Sequence, residues 1–213
     1  NATILHYVLN NAPMKDGDLL LIDAGAEFDY YTADITRTFP VNGTFSGAQK
    51  EVYEAVLTAQ KASIAGSVIG ATKDDVHQIS VRSLTQSLID LGILKGSVDE
   101  NVEQESYKAF YMHGTGHWLG MDVHDVGLYY AGGKPVPYEA GTVTTVEPGL
   151  YFGEGDEIPE AFRGIGIRIE DDILTTEDGP VNLTSQVPTE VADIEALCAE
   201  ASSLDTMIPA LPR

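Results

Sequence analysis

The stretch Gly164-Ile165-Gly166-Ile167-Arg168-Ile169-Glu170-Asp171-Asp172 sets a charged pair into an extended, apolar segment. Arg168 and Glu170 are two positions apart, so in a strand their side chains share one face while the isoleucines beside them pack on the other. A charged side chain on such a strand is a poor core residue without a partner. The pattern therefore predicts a strand that places an arginine beside a carboxylate cluster.

Four more residues of metal-ligand type lie in separate strand-like segments: Asp23, Asp34, His117 and Glu147. Together with Glu170 they make four carboxylates and one imidazole. Such a set cannot share a small cavity unless cations neutralise it, because each unpaired buried carboxylate costs several kcal/mol or takes up a proton. Two divalent ions balance this charge. Oxygen-dominated coordination without sulfur favours manganese, whereas structural zinc usually draws on cysteine and histidine.

The spacing of the two aspartates predicts a hairpin. Asp23 ends the apolar run Leu19-Leu20-Leu21-Ile22, and Asp34 lies in a second β-prone run from Tyr30 to Phe39. Folding the runs on one another about residues 28 and 29 sets Asp23 opposite Asp34. Facing side chains lie roughly 4.5–5.5 Å apart, so we expect the two carboxylates to act together.

Three of the five histidines fall between His113 and Asp125. His113 and His117 have the i, i+4 spacing of the zinc motif H-E-x-x-H, but Gly114 occupies the position of the catalytic glutamate. The glycines indicate a backbone that turns tightly around a pocket rather than a helix. A satisfied polar core is the alternative, and the clustering of histidines with a tryptophan among glycines favours a site.

The remaining elements predict one α+β domain. A helix is expected from Ser46 to about Gly66, and a second from Val76 to Leu91 after a capping box at Thr72-Lys73-Asp74-Asp75, with His77 on its surface. Asp99 to Glu105 is interpreted as an acidic link, and a last helix is expected from Pro188 to about Glu200. We expect the helices to pack outside a curved, mainly antiparallel sheet.

Composition excludes several classes of function. A chain of 213 residues can bury a sizeable core, and it contains no apolar stretch long enough for a membrane span. The formal net charge of −21 argues against binding nucleic acid through its phosphates. The single cysteine, Cys198, allows no internal disulfide, which fits the cytoplasm.

Five runs of the chain resemble the aminopeptidase P and prolidase family of dinuclear metallopeptidases, which has the pita-bread fold. The runs are Leu21-Ile22-Asp23-Ala24-Gly25-Ala26-Glu27, Asp34-Ile35-Thr36-Arg37-Thr38-Phe39-Pro40, His113 to Asp125, Thr145-Val146-Glu147-Pro148-Gly149-Leu150-Tyr151, and Gly164 to Asp172. The wording His-Trp-Leu-Gly-x-Asp-Val-His-Asp is closest to the bacterial type of Xaa-Pro aminopeptidase.

The resemblance implies that Asp34 and Glu170 bridge two metal ions, most simply Mn²⁺. It implies that Asp23 completes one ion and that His117 and Glu147 complete the other. Members of this type carry a separate N-terminal domain and the opening part of the pita-bread half before the position of His6. We therefore expect residues 1–213 to be the metallopeptidase catalytic domain without these parts.

The resemblance also assigns roles around the metals. His113 and His124 are implied as catalytic histidines, with Glu147 moving a proton and Arg168 supporting the site. His6 and Tyr151 are implied on the substrate side.

The implied reaction is hydrolysis of the Xaa-Pro bond at the N-terminus of peptides by a metal-bridging hydroxide. The implied partners are peptides with proline in second position and, in the full-length form, further copies of the chain. The alternatives are a prolidase acting on Xaa-Pro dipeptides and an inactive peptide-binding module of the same fold. Methionine aminopeptidase shares the fold, but the Arg-Thr-Phe-Pro run points away from it, and organophosphate hydrolysis remains open as a side activity.

Overall fold

The structure is a computed structural model that describes residues 3–200, in which antiparallel strand pairs alternate with helices. The strands are β1 (Leu19–Ala24), β2 (Glu27–Phe28), β3 (Tyr31–Thr32), β4 (Ile35–Pro40), β5 (Tyr130–Ala131), β6 (Lys134–Pro135), β7 (Val143–Val146), β8 (Gly149–Tyr151), β9 (Gly166–Arg168), β10 (Asp171–Thr176) and β11 (Gly179–Asn182). The helices are α1 (Gly47–Gly66), α2 (Lys73–Asp90), α3 (Val98–Glu103) and α4 (Val191–Ala199), with 3₁₀ turns at Ser106–Ala109 and Glu160–Phe162.

Both long helices follow a complete capping box, and α2 begins directly after Thr72, at Lys73, three residues before the predicted Val76. Ser46 Oγ accepts a hydrogen bond from the backbone N–H of Gln49, whose side chain accepts one from the backbone of Ser46. Thr72 and Asp75 make the same reciprocal pair at the start of α2. Each box satisfies two backbone donors that the first turn of a helix leaves without partners.

The core lies between α1, α2 and strands β8 and β9. Val52 and Val56 of α1 are fully buried against the same cluster as Ile167 and Ile169. Arg168 and Glu170 point to the opposite side, where their side chains approach within 4.0 Å. The alternation predicted from the 164–172 stretch is therefore confirmed.

The predicted hairpin is present as β1 and β4, but the predicted register differs from the observed one by two residues. Asp23 lies opposite Thr36, not Asp34. The chain turns at Asp29 and Tyr30, which adopt φ angles of 54° and 68°, one position later than expected. Moving a turn by one residue moves each strand partner by two, so Asp34 stays on the face that carries Asp23.

Three strand groups meet where the acidic residues lie. β10 pairs with both β7 and β11, and an isolated bridge between Thr36 and Glu170 joins this sheet to β4. A second bridge connects Trp118 to Thr144 on β7. These pairings bring Asp34, Glu147 and the histidine segment, residues 113–125, to one edge of this sheet.

Two local expectations from the sequence are wrong. The acidic segment 99–105 is mostly helix α3, because Ser97 and Glu100 form a capping box and acidic side chains stabilise a helix N-terminus. The last helix begins at Val191 rather than Pro188. The carbonyl of Pro188 accepts from Arg37 and that of Thr189 from a buried tyrosine, so the backbone there serves the core instead of a helical turn.

His77 is also not a simple surface residue. It is half-buried, and its Nδ1 lies 2.9 Å from Thr115 Oγ1. Within residues 3–200, none of the helices combines the length and apolar composition needed to cross a lipid bilayer.

Candidate metal centre

The residues predicted for the site converge on one cavity of about 230 Å³. Its wall contains every predicted metal ligand: Asp23, Asp34, His117, Glu147 and Glu170. It also contains four of the other residues assigned from the sequence: His6, His113, His124 and Arg168. The tenth assigned residue, Tyr151, is buried behind the wall, and its hydroxyl is hydrogen bonded to His113 and Arg168.

Three ligand residues form a compact group. One ligand atom each from Asp34, His117 and Glu170 lies within 4.8 Å of the others. His117 Nδ1 is 3.0 Å from the carbonyl oxygen of Trp118, so it carries the proton that this bond requires. Its other nitrogen, Nε2, is 3.3 Å from Asp34 Oδ2 and is the atom available to a cation.

Asp23 and Glu147 flank this group on two sides. Asp23 Oδ2 accepts a hydrogen bond of 2.5 Å from Arg168 Nη2. Glu147 Oε1 lies 3.6 Å from His117 Nε2. The five predicted ligands thus share one cavity, and Asp34, His117 and Glu170 bring ligand atoms within 4.8 Å of one another.

The pKa shifts indicate that the carboxylates of the cluster carry more negative charge than the nearby basic groups of the protein neutralise. Burial, with neighbouring carboxylates, raises the pKa of Glu170 well above its usual value. Burial raises the pKa of Glu147 to about 7 and that of Asp23 in the same direction. Burial opposes ionisation of Asp34 as well, but hydrogen bonds from His117 and Asp23 lower its pKa.

The donor set fits divalent cations. Without metal, the raised pKa values of Glu147 and Glu170 favour their protonated forms, and a cation can replace those protons because it supplies the missing positive charge. Four carboxylates and one imidazole nitrogen are the ligand types of a hard ion, with no sulfur ligand among residues 3–200.

A chain of hydrogen bonds fixes His113 from behind. Arg168 Nη1 donates to the hydroxyl of Tyr151 over 3.2 Å, and that hydroxyl lies 2.8 Å from His113 Nε2. His113 Nδ1 is 2.8 Å from the carbonyl oxygen of Gly114, so Nδ1 is the donor and Nε2 accepts from the tyrosine. Burial lowers the pKa of His113 to about 4, which leaves the ring neutral at pH 7.

His124 occupies a different environment. Its ring meets the ring of His117 edge to face, with centroids 4.3 Å apart, and the residue is exposed to the cavity. The two histidines that the sequence left equivalent are therefore distinguished by structure. His113 is tied to the protein through both ring nitrogens, and His124 faces the open space.

Arg37 supports the metal group from the core side, a role that the sequence did not reveal. Its buried guanidinium donates to the carbonyls of Thr36 and Glu170, over 2.8 and 2.6 Å. It also donates to Asp171 Oδ1 over 2.7 Å and to two carbonyls of the 187–188 segment. The backbone on either side of the bridge between Thr36 and Glu170 is thereby fixed.

Gly116 allows the histidine segment to lie against β7. A Cβ atom at this position would be 1.9 Å from the carbonyl oxygen of Thr145. The neighbouring backbones pair through Thr145 N–H to His117 O and Glu147 N–H to Thr115 O, at 3.0 and 2.8 Å. The glycine therefore places two of the predicted ligands side by side.

Lys73 also lines the cavity and was missed as a site residue. It stands in the first turn of α2, where the sequence analysis considered only the capping pattern. Its presence beside Gly114 depends on how α2 packs against the histidine segment, and sequence spacing carries no signal for that contact.

The fold and the acidic cavity together define an α+β domain with a carboxylate-rich site for divalent metal. The family model for metallopeptidase family M24 matches residues 1–177. The chain belongs to that family.

Curated relatives are Xaa-Pro aminopeptidases. The Haemophilus influenzae protein is 56% identical over 197 residues, which cover 92% of this chain and 46% of that protein. The Escherichia coli protein is 51% identical over 201 residues, covering 94% and 45%. The chain thus spans about half the length of the curated relatives it matches.

Solved structures confirm the pita-bread fold predicted from the sequence. Pseudomonas aeruginosa aminopeptidase PepP superposes with a TM-score of 0.92 at 53% identity, over 93% of this chain and 45% of that one. A glutamate-to-alanine variant of Escherichia coli aminopeptidase P in complex with substrate gives 0.89 at 50% identity, over 93% and 45%. Further solved variants of that enzyme replace single histidines or aspartates by alanine.

Proposed function

We propose that this chain is the catalytic domain of a metal-dependent Xaa-Pro aminopeptidase, which hydrolyses the bond before a proline in the second position of a peptide. The observation that carries the proposal is the convergence of Asp23, Asp34, His117, Glu147 and Glu170 on one cavity. The family membership and the names of the relatives supply the reaction type and the substrate class.

The proposed cofactor is a pair of divalent ions, with Mn²⁺ as the expected species. The family resemblance implies that Asp34 and Glu170 would bind both ions, and one ligand atom of each lies within 4.8 Å of the other and of His117. Asp23 then belongs to the ion on the Arg168 side, and His117 with Glu147 to the other. Bound divalent cations supply Lewis acidity, which polarises a carbonyl group and makes water more acidic.

Glu147 is the residue proposed to move the proton. The family resemblance assigns this role to Glu147, whose carboxyl group lines the cavity and so lies within reach of a bound peptide. The leaving nitrogen of proline is a tertiary amide nitrogen in the substrate and must be protonated to leave. A carboxyl group at the cavity wall meets that need, and Glu147 Oε2 faces His113 at 3.9 Å rather than the core.

His124 is the histidine proposed to donate a hydrogen bond to the oxyanion, the negatively charged oxygen that forms from the substrate carbonyl during hydrolysis. His113 has no free donor in the observed arrangement, because its Nδ1 proton is used on the Gly114 carbonyl. We assign His113 with Tyr151 and Arg168 to a positioning chain that orients Asp23 and the wall beside Glu147. His6 is exposed on the cavity wall and is proposed to contact substrate.

The Escherichia coli variants replace residues at matching positions. The four histidines and two aspartates replaced by alanine in them follow one another with the same spacing as six residues of this chain. Those six are His6, Asp23, Asp34, His113, His117 and His124.

The test is a peptide panel with protein expressed from its complete reading frame. Ala-Pro-Ala, Ala-Pro and Met-Ala-Ser are assayed with and without Mn²⁺, and bound metal is counted by elemental analysis. The proposal expects two ions per chain and cleavage of Ala-Pro-Ala that chelation abolishes. Cleavage of Ala-Pro alone would indicate a prolidase, and two bound ions without turnover of any peptide would indicate an inactive binding module.

Two variants test the separate histidine roles. His124→Ala is expected to keep both ions and lose about 10²–10³ in kcat, the usual effect of removing one oxyanion donor. His113→Ala is expected to keep the ions and to lose less, since it acts through Tyr151 and Arg168. A His124→Ala enzyme that loses metal, or one that turns over as fast as wild type, would refute the assignment.

A further inference from the structure

Lys73 places a positive charge on the wall of an otherwise acidic cavity. Its side chain is half-buried and lines the same cavity as the predicted metal ligands. A Cβ atom built on Gly114 would lie 3.8 Å from its Nζ, so the ammonium group stands directly beside the histidine segment. The other permanent cation on this wall is Arg168, which is committed to Asp23 and Tyr151.

An aromatic stack holds the ammonium group in place. Lys73 Nζ lies 4.3 Å from the ring centroid of Tyr129. Tyr129 stacks on Trp118 with centroids 5.2 Å apart and an interplanar angle of 6°, and its hydroxyl accepts a hydrogen bond from the backbone N–H of Trp118. A cation over a fixed aromatic face is oriented without being neutralised.

The carboxylates near Lys73 in sequence are occupied elsewhere. Asp74 accepts both of its side-chain hydrogen bonds from the hydroxyl of Tyr130. Asp75 caps its own helix through Thr72. Within residues 3–200, no carboxylate lies within ion-pair distance of Lys73 Nζ.

We propose that Lys73 is a specificity-determining residue that binds a carboxylate of the peptide substrate. The inference rests on the proposed Xaa-Pro aminopeptidase function. Once divalent ions balance the cavity carboxylates, Lys73 remains as a positive charge that no group of the wall neutralises. A substrate carboxylate supplies the matching charge and accepts hydrogen bonds from the ammonium group. Three positions on a short peptide can provide it: an acidic first residue, an acidic third residue, or the terminal carboxylate.

Three matched peptide pairs distinguish these sources. They are Glu-Pro-Ala-amide against Gln-Pro-Ala-amide, Ala-Pro-Glu-amide against Ala-Pro-Gln-amide, and Ala-Pro-Ala against its amide. Each pair differs by one negative charge at one place. For the wild type, we expect the charged member of one pair to have a kcat/KM about tenfold higher, the lower end of the range for a hydrogen bond to a charged group.

Lys73 variants then assign that preference. Lys73→Met keeps the apolar stem and should remove the preference, so that the two members of the pair are cleaved with equal kcat/KM. Lys73→Arg keeps the charge and should retain most of it. Lys50→Met is the matched control, because Lys50 is an exposed lysine on α1 that pairs with Glu54 and lies outside the cavity.

The outcomes separate the two proposals. Equal cleavage of both members of every pair by the wild type, or a preference that persists in Lys73→Met, overturns this inference and leaves the proposed function intact. A wild type that cleaves none of the six peptides overturns the proposed function and this inference with it. If Lys73→Met does not fold, the wild-type preference is measured at low and high salt, and a preference that salt does not reduce overturns the inference.

Discussion

Replacing Glu170 by glutamine separates two effects of this carboxylate: the loss of stability that its burial causes in the metal-free protein, and its contribution to metal binding. Glu170 is 1% exposed, and its Oε2 accepts a hydrogen bond of 2.5 Å from Thr36 Oγ1. The amide oxygen of glutamine can accept the same bond. What Glu170→Gln removes is the negative charge, which burial and the neighbouring carboxylates already disfavour.

The substitution is therefore expected to change Tm in opposite directions in the metal-free and the metal-bound protein. In the metal-free protein above neutral pH, the variant loses repulsion with Glu147 and Asp34, so its Tm should equal or exceed that of wild type. In the presence of metal, wild type gains about 2.7 kcal/mol for each ion at a concentration of 100 Kd. For a chain of this length that is roughly 5–11 °C in Tm per ion. Glu170→Gln should lose most of this gain, because Glu170 is assigned to both ions.

The assay is thermal unfolding with chelator and with Mn²⁺, followed by a metal count and kcat/KM on Ala-Pro-Ala. Glu54→Gln is the control, since Glu54 is an exposed acid of α1 whose loss should change stability by no more than about 0.5 kcal/mol. A Glu170→Gln protein that keeps the full metal-dependent rise in Tm and two bound ions would refute the bridging assignment. A metal-free variant much less stable than wild type would show instead that the carboxylate has a structural role.

Arg37→Met should lower the free energy of unfolding in urea by about 3–5 kcal/mol, because it leaves a buried carboxylate and four carbonyls without this donor. The control Arg82→Met, which breaks an exposed ion pair, should lower it by less than about 1 kcal/mol. Equal losses in the two variants would contradict this. Gly116→Ala should lower both Tm and metal affinity, since its Cβ would lie 1.9 Å from a carbonyl oxygen of β7, while Gly47→Ala, with open space at its Cβ, should change neither. Metal affinity measured by calorimetry should rise with pH up to about 7 and then level off, because the pKa of Glu147 in the metal-free protein is raised to about 7 and its proton competes with the cation. The raised pKa of Glu147 also stabilises the metal-free fold at pH values below its unfolded-state pKa of about 4.5, and this contribution is lost as the pH rises through about 7. A metal affinity and a stability that do not change with pH would contradict the shift.

Local patterns predicted the parts of the fold that depend on local physics. Ser46 and Thr72 mark helix starts because a capping box is complete within four residues. The alternation around Arg168 gave the correct faces because strand side chains alternate whatever the sheet around them does. The family resemblance implied that the acidic residues share one site, and charge predicted only that such a cluster needs cations.

The register of the hairpin could not be read in the same way. Its turn is formed by Asp29 and Tyr30 in left-handed conformation, and a tyrosine gives no signal for such a turn, whereas a glycine would. The same limit applies to His77 and Thr115, which are 38 positions apart and meet only because α2 packs on the histidine segment. Sequence identifies the residue type in these cases, and tertiary packing selects the partner.

The two buried arginines explain why the remaining negative charge is available to metal. Arg37 is saturated by Asp171 and by backbone carbonyls, so its charge balances an acid that lies outside the cavity. Arg168 is shared between Asp23 at 2.5 Å and Glu170 at 4.0 Å, which is one positive charge for two carboxylates. Within residues 3–200, the side chain of His117 is the basic group that lies near both Asp34 and Glu147. The described protein therefore leaves the middle of the cavity deficient in positive charge, and that deficit is what divalent ions would correct.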